Sequence, residues 1–299
     1  MPPRRHDAST PFAYPMHLRA QVDGLPSAPG IYTFHGAEPG IPLYIGKSVN
    51  LRGRVLSHLR NPQEARLLRQ IRRISHVRTA GEIGALLLEA RLIKEQQPLL
   101  NQRLRHSRQL CSLRLGAGAP QLVDARDVDF ALEPELYGLF GSPHAAHERL
   151  RALADERRLC LAALGLERAH AARGCFRAAL GHCAGVCRGA ESRGAHDQRL
   201  REGLDRLRVA CWPYPGAIGL VEREGTRCEI HVVRNWCHLG SVADLDAARA
   251  LSQVAAGFEA DSYKILCAPI LSGHREIARL DGPGGAISAA GRPVSPPVS

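Results

Sequence analysis

Two short runs rich in β-branched and aromatic residues lie near the N-terminus, Gly30-Ile31-Tyr32-Thr33-Phe34 and Pro42-Leu43-Tyr44-Ile45-Gly46, with a Gly/Pro-rich stretch over 35–41 between them. Apolar runs of that length on either side of a turn predict a β-hairpin. The period then changes. Leu51, Val55 and Leu59 recur at helical spacing, with Ser48 or Asn50 placed to cap the helix, and Arg54 and His58 are i,i+4 neighbours at the edge of the stripe. Asn61-Pro62 ends this helix. A second helical stretch over 63–73 sets Leu67, Leu68 and Ile71 among arginines, and 74–79 is a candidate third strand. Thr79 and Glu82 have capping-box spacing, which predicts a further helix from there to about residue 97, stopped before Pro98.

That last helix is apolar around most of its circumference. On a helical wheel Ile83, Leu86, Leu88, Ala90, Leu92 and Ile93 leave a polar sector of Arg91, Lys94 and Glu95 only. Glu89 falls on the opposite side, between Ile93 and Leu92. An ionised carboxylate in apolar company costs several kcal/mol or more without a partner. Glu89 therefore either pairs with a basic side chain in the core or holds a metal ion.

Beyond residue 101 the pattern is weaker. Residues 110–115 are a candidate strand, 121–129 are polar, and a turn cluster over 138–143 leads into a helix over 144–161. Cys160, Cys175, Cys183 and Cys187 then follow with spacing C-x14-C-x7-C-x3-C among glycines, with His170 and His182 nearby. Four thiolates complete a zinc or an iron–sulfur site, and buried free cysteines are the alternative. A helix is expected over 196–208 and a rigid turn at Trp212-Pro213-Tyr214-Pro215-Gly216. Three short strands over 217–222, 228–234 and 236–240 follow, with Glu224-Gly225 as a hairpin turn. A helix over 245–258 and a last strand over 262–268 complete the chain. Residues 1–25 read as a flexible lead and 282–299 as a disordered tail. Between them the pattern divides into 26–105, a connecting region 106–150, a helical cysteine-rich region 151–209 and a small mixed α/β domain 210–281.

Composition narrows the function. At 299 residues two or three domains are expected, and no run approaches the ~18 apolar residues of a transmembrane helix. The first twenty residues lack the apolar segment of a secretory signal, so a cytoplasmic protein without a membrane partner is expected. Nine cysteines in such a chain argue against a disulfide framework. The net charge of +11 is unevenly placed: residues 1–110 hold 17 Lys and Arg against 7 Asp and Glu, and the remainder holds 23 against 22. A positive field confined to the hairpin-bearing part suits a phosphate backbone, and a solvated basic surface is the plainer alternative.

Gly30-Ile31-Tyr32, Tyr44-Ile45-Gly46, Lys47, Asn50-Leu51 and Arg54 stand in the order of the GIY-YIG nuclease family, which this stretch resembles. Ala85 to Glu89, Leu92-Ile93-Lys94 and Pro98-Leu99-Leu100-Asn101 resemble the UvrC branch, the DNA-repair excinucleases. The resemblance implies an α+β fold: an N-terminal GIY-YIG domain with a small antiparallel sheet flanked by helices, a central helical cysteine-rich region and a small mixed α/β C-terminal domain. It implies Glu89 as ligand of Mg²⁺ or Mn²⁺, Arg54 as neutraliser of phosphate charge, and Tyr44 or Tyr32 as the phenol that positions or deprotonates water. Lys47 would stabilise the phenolate, His58 would orient water or phosphate, and Asn101 would support the site. Arg52, Arg60 and Lys94 are candidate DNA contacts. The four cysteines resemble the UvrC cysteine region, which implies a 4Fe–4S cluster. The UvrB-binding segment and RNase H-like domain of UvrC proteins are not visible, and the length resembles shortened UvrC homologues. That similarity implies incision of double-stranded damaged DNA on the 3′ side of a lesion, in a complex where UvrB marks the damage. A scaffolding protein that keeps the fold without catalysis is the alternative, and intact Tyr32, Tyr44, Arg54 and Glu89 favour the nuclease.

Overall fold

The structure is a computed structural model that describes residues 14–101, 110–168 and 174–280, and the backbone of 287–289. The N-terminal unit opens with α1 (Arg19–Asp23), which was expected within a flexible lead. Instead Leu18, Val22 and Leu25 are buried in the first core, because three apolar side chains at helical spacing find the sheet beside them. Residues 1–13 lie outside the described residues.

The predicted hairpin is β1 (Gly30–His35) and β2 (Pro42–Ser48), followed by α2 (Leu51–Leu59), a short α3 (Ala65–Leu68) and β3 (Arg73–Arg78). The three strands are antiparallel in the order β2-β1-β3. Asn50 caps α2, its Oδ1 accepting from the Gly53 N–H at 2.8 Å. Leu51, Val55 and Leu59 bury against Tyr32 and Phe34 on one face of the sheet.

The other face carries α4 (Glu82–Gln96). It starts at Gly81 rather than at Thr79: the Thr79 hydroxyl donates to the Gly81 carbonyl, so the expected capping box does not form. Ala85 and Ile93 pack on Ile31 and Ile45, while Ile83 and Leu87 belong to a separate core with Ile218, Leu220, Trp236 and Leu266. The all-round apolar character of this helix thus has a cause. Two domains grip it from opposite sides.

The middle of the chain is one unit, not a connector followed by a helical region. Strands β4 (Cys111–Arg114), β5 (Gln121–Asp124) and β6 (Leu136–Phe140) pair in the order β5-β4-β6. Leu113 and Tyr137 of this sheet share a core with Leu150 and Leu153 of α5 (Pro143–Arg157) and with Leu200 and Leu204 of α7 (Arg193–Leu204). The short α6 (Phe176–Ala179) lies in the cysteine-bearing segment.

The C-terminal unit is a five-stranded antiparallel sheet in the order β11-β10-β7-β8-β9. Strands β7 (Ile218–Glu224), β8 (Arg227–Arg234) and β9 (Cys237–Val242) stand close to the predicted positions, and Gly225 turns the first hairpin at φ 58°. Helix α8 (Leu245–Ser252) is shorter than expected. The segment expected as a last strand is helix α9 (Ala260–Leu271). Its Ile265, Leu266, Ile270 and Leu271 form a helical stripe against Trp236 that a short apolar run does not distinguish from a buried strand. The sheet is completed by β10 (Glu276–Arg279) and β11 (Ile287–Ala289), the latter inside the stretch read as a disordered tail. The rest of that tail lies outside the described residues. Among the described residues no helix is long and apolar enough to cross a membrane.

Candidate active site

The site is built on the β1–β2 hairpin and the two helices that flank it. Tyr32 opposes Gly46 across the pair and Phe34 opposes Tyr44, so both tyrosines project from one face as diagonal neighbours, ring centroids 6.1 Å apart. Gly46 makes this possible. A Cβ there would lie 2.4 Å from the Tyr32 hydroxyl and 2.8 Å from the Tyr44 ring. Gly46→Ala should displace the Tyr32 ring, with an overpacking cost of about 1–3 kcal/mol. Thermal melting should show the loss, and any catalysis that uses these two tyrosines should fall further than stability alone explains.

Tyr32 is buried, and its hydroxyl is 2.7 Å from His58 Nε2. His58 Nδ1 in turn lies 2.5 Å from Glu64 Oε2, and Asn61 Nδ2 donates to the second Glu64 oxygen at 2.9 Å. A phenol, an imidazole and a carboxylate therefore form one chain, in which the carboxylate fixes the ring that the phenol touches. Glu64 was not among the residues predicted from sequence. It stands six residues after His58, beyond a helix end, and only the turn at Asn61-Pro62 brings it back.

Tyr44 is only partly buried. Burial raises its phenol pKa, and the charge of Glu89 raises it further. Burial likewise raises that of Tyr32, with the neighbouring Tyr44 adding to it and Arg54 opposing it. Arg54 is exposed beside these rings, and its pKa is raised chiefly by its interaction with Tyr32. It forms no ion pair with a carboxylate among the described residues, so its guanidinium is open to an incoming anion.

Glu89 reaches the outer edge of β2, where Oε1 accepts the Lys47 backbone N–H at 3.0 Å. This is the one hydrogen bond it makes among the described residues. Burial raises its pKa, against the pull of that N–H and of the Lys47 charge. A half-buried carboxylate with a free oxygen, disfavoured as an anion, fits a hard divalent cation that keeps several waters and takes one carboxylate ligand. Lys47 Nζ pairs with Glu82 at 2.5 Å rather than with a phenol.

Asn101 sits on the same strand edge. Its Oδ1 accepts from the Ile45 N–H at 3.0 Å and its Nδ2 donates to the Ile45 carbonyl at 2.8 Å, closing backbone groups that would otherwise be unpaired. Of the three candidate DNA contacts, Arg60 and Arg52 are exposed on or next to α2, and Arg52 lies 3.2 Å from Asp23. Lys94 is different. It is clamped between Glu259 at 2.5 Å and Asp261 at 2.9 Å, so its charge is committed to the C-terminal unit and not to a phosphate.

The second constellation also converges. The Sγ atoms of Cys160, Cys175, Cys183 and Cys187 all lie within 4.8 Å of one another, three of the residues are buried, and none forms a disulfide. Burial pushes the Cys175 thiol up to about 11, whereas hydrogen bonds from Cys175 and its thiol neighbours outweigh burial at Cys187 and lower it. Gly174 at φ 69° lets the chain approach, since a Cβ there would meet Cys187 Sγ at 2.9 Å. The donor set suits a four-thiolate metal centre. His182 is exposed, and His170 lies outside the described residues. The other five cysteines lie apart from this cluster. From their irregular spacing these five read as core residues, and Cys111 is buried, but Cys211 is exposed.

Residues 28–102 match the UvrC-like GIY-YIG domain, 109–206 the UvrC/Cho excinuclease middle domain, and 217–284 the excinuclease Cho C-terminal domain. The chain is 54% identical over 275 residues to Excinuclease cho of Escherichia coli O157:H7, covering 92% of this chain and 93% of that protein. It is 54% identical over 274 residues to Excinuclease cho of Salmonella typhi, covering 92% and 94%. UvrABC system protein C of Cytophaga hutchinsonii is 30% identical over 190 residues, 60% of this chain and 32% of that protein. Among solved structures, the magnesium-bound GIY-YIG N-terminal endonuclease domain of UvrC from Thermotoga maritima is 30% identical, covering 28% of this chain and 96% of that one, with a TM-score of 0.27. A GIY-YIG hairpin, a UvrC/Cho middle domain and a Cho C-terminal sheet follow one another along nearly the whole sequence, and the chain belongs to the Cho excinuclease family.

Proposed function

We propose that the chain is a DNA endonuclease of excision repair that cuts damaged duplex DNA on the 3′ side of a lesion, by cation-assisted hydrolysis of one phosphodiester, within a complex where UvrB marks the damage. The observation that carries this reading is the convergence of Tyr32, Tyr44, Arg54, His58 and Glu89 around one hairpin.

Glu89 would hold Mg²⁺ or Mn²⁺, which when bound supplies positive charge beside the scissile phosphate. Arg54 supplies a planar donor fork to the same phosphate as negative charge develops on it. Tyr44 is the phenol with access to solvent, and we assign it the attacking water. Tyr32 is closed off, its hydroxyl within hydrogen-bond distance of His58, which Glu64 holds in place. Lys47 acts at a distance, its backbone N–H orienting Glu89 while its ammonium anchors Glu82 on the same helix. Asn101 keeps β2 in register under Tyr44 and Gly46. Arg52 and Arg60, exposed on either side of Arg54, extend the basic surface along the DNA backbone.

The test is an end-labelled duplex with a single bulky lesion, loaded with UvrB and incubated with the purified chain and Mg²⁺. A single cut on the 3′ side, abolished by EDTA, is expected. A cut on the 5′ side, or one that survives chelation, rejects the reading. The thiolate cluster is tested separately. We assign it a 4Fe–4S cluster, so anaerobically purified protein should be brown and carry iron and sulfide. A colourless protein carrying one zinc would reject the cluster without touching the nuclease.

A further inference from the structure

Helix α4 has no side-chain cap of its own, since Gly81 occupies the N-cap position. The cap comes instead from another domain. Glu222 of β7 accepts the Ile83 N–H at 3.1 Å through Oε1 and the Gly84 N–H at 2.7 Å through Oε2. His231 of β8 lies 3.1 Å from Glu222 Oε2 and is itself held by the Ser241 hydroxyl at 2.8 Å. Glu222 is 7% exposed and His231 fully buried.

The contact is built into the backbone of both partners. A Cβ at Gly81 would lie 2.3 Å from Glu222 Oε1, and one at Gly84 would lie 2.9 Å from His231 Cε1. Gly84 in the first turn is unfavourable for the helix alone, while Gly81 occupies its N-cap. Here they admit a carboxylate and an imidazole from across the interface. The C-terminal end of α4 is held as well, by Glu259 and Asp261 on Lys94. Glu89 lies between these two anchors, and Ile83 and Leu87 bury in the C-terminal core along the way.

We infer that Glu222 is a positioning residue for the Glu89 carboxylate: it fixes the start of α4, so the C-terminal domain seats the helix that carries Glu89. The inference rests on the reading of Glu89 as the cation ligand. A carboxylate that is the sole protein ligand of a cation depends on how rigidly its helix is seated. A group bonded directly to a metal ligand is typically worth about 10–100-fold in metal affinity or activity, and Glu222, which acts only through the helix, should fall at the low end of that range.

The test uses full-length Glu222→Ala and Glu222→Gln, with Glu224→Gln as control. Glu224 pairs with Arg78 at the same interface but leaves the α4 N-terminus alone. Mn²⁺ affinity is read from the electron paramagnetic resonance of free Mn²⁺, and amide exchange is followed at Ile83 and Gly84. For Glu222→Ala, about tenfold weaker Mn²⁺ binding is expected. Its kcat should fall by a similar factor at unchanged KM for DNA, with lost protection at both amides. Glu222→Gln keeps one acceptor and should fall between it and wild type, while Glu224→Gln should match wild type. Fast exchange at Ile83 and Gly84 with wild-type Mn²⁺ affinity and kcat would make the cap merely structural and overturn the inference. If Glu222→Ala does not fold, Glu222→Gln decides: Mn²⁺ affinity and kcat equal to wild type overturn it equally. A wild-type chain that binds Mn²⁺ no better than Glu89→Ala sinks the cation reading itself, a different result.

Discussion

Glu89→Gln should lower incision by about 10³-fold or more, as expected when charge stabilisation at the reacting centre is withdrawn. The same substitution should raise the melting temperature of the cation-free chain. The two effects have one cause. Burial raises the Glu89 pKa in the fold, so the folded state holds its proton more tightly than the unfolded state. Stability therefore falls as pH rises from the ordinary carboxylate range through the raised folded value, and above it the full penalty persists. Glutamine has no charge to bury and still accepts from the Lys47 N–H. Nicking of a UvrB-loaded lesion duplex and melting at pH 8 in EDTA check the two halves. Equal nicking by wild type and variant would remove Glu89 from the site. A lower melting point would show that the carboxylate is structural.

Arg54→Lys should reduce kcat by about 10²-fold, and Arg54→Ala by about 10²–10³-fold, at nearly unchanged thermal stability. The exposure of Arg54 and the absence of a carboxylate ion pair to it among the described residues predict the stability result, since the buried Tyr32 beside it keeps His58 as a partner. Lysine retains the charge but not the planar fork that spans two phosphate oxygens. Single-turnover nicking with saturating protein separates this from a binding defect. A loss confined to KM would make Arg54 a docking residue alongside Arg52 and Arg60.

Much of the catalytic hairpin was legible in the sequence because it is local. Alternation, a Gly/Pro turn and a following N-cap are short-range signals, and β1, β2 and α2 stand close to where they predict. Glu89 was legible as an anomaly, an acid on an apolar helix. What escaped was set by tertiary context. The Thr79 capping box failed because a carboxylate 139 residues away in sequence took the first N–H groups of α4. Lys94 read as a DNA contact because nothing local shows that Glu259 and Asp261 fold back onto it. Glu64 was hidden by the break at Asn61-Pro62, past which helical spacing gives no guide. Helix α9 was mistaken for a strand because a short apolar run inside a mixed domain has no decisive period. The four cysteines were legible as a candidate metal site from their spacing among glycines, but not which turns bring their thiols together.

The shared helix also bears on biosynthesis. Strand β7 leaves the ribosome long after Glu89, and the hydrogen bonds that Glu222 makes to α4 span 139 and 138 residues. At 5–20 residues per second that interval is roughly 7 to 28 s. During it the nascent cutter carries its tyrosines and arginine on a scissor blade without a pivot. A truncated transcript would leave Ile83 and Leu87 of the helix without the core they bury in.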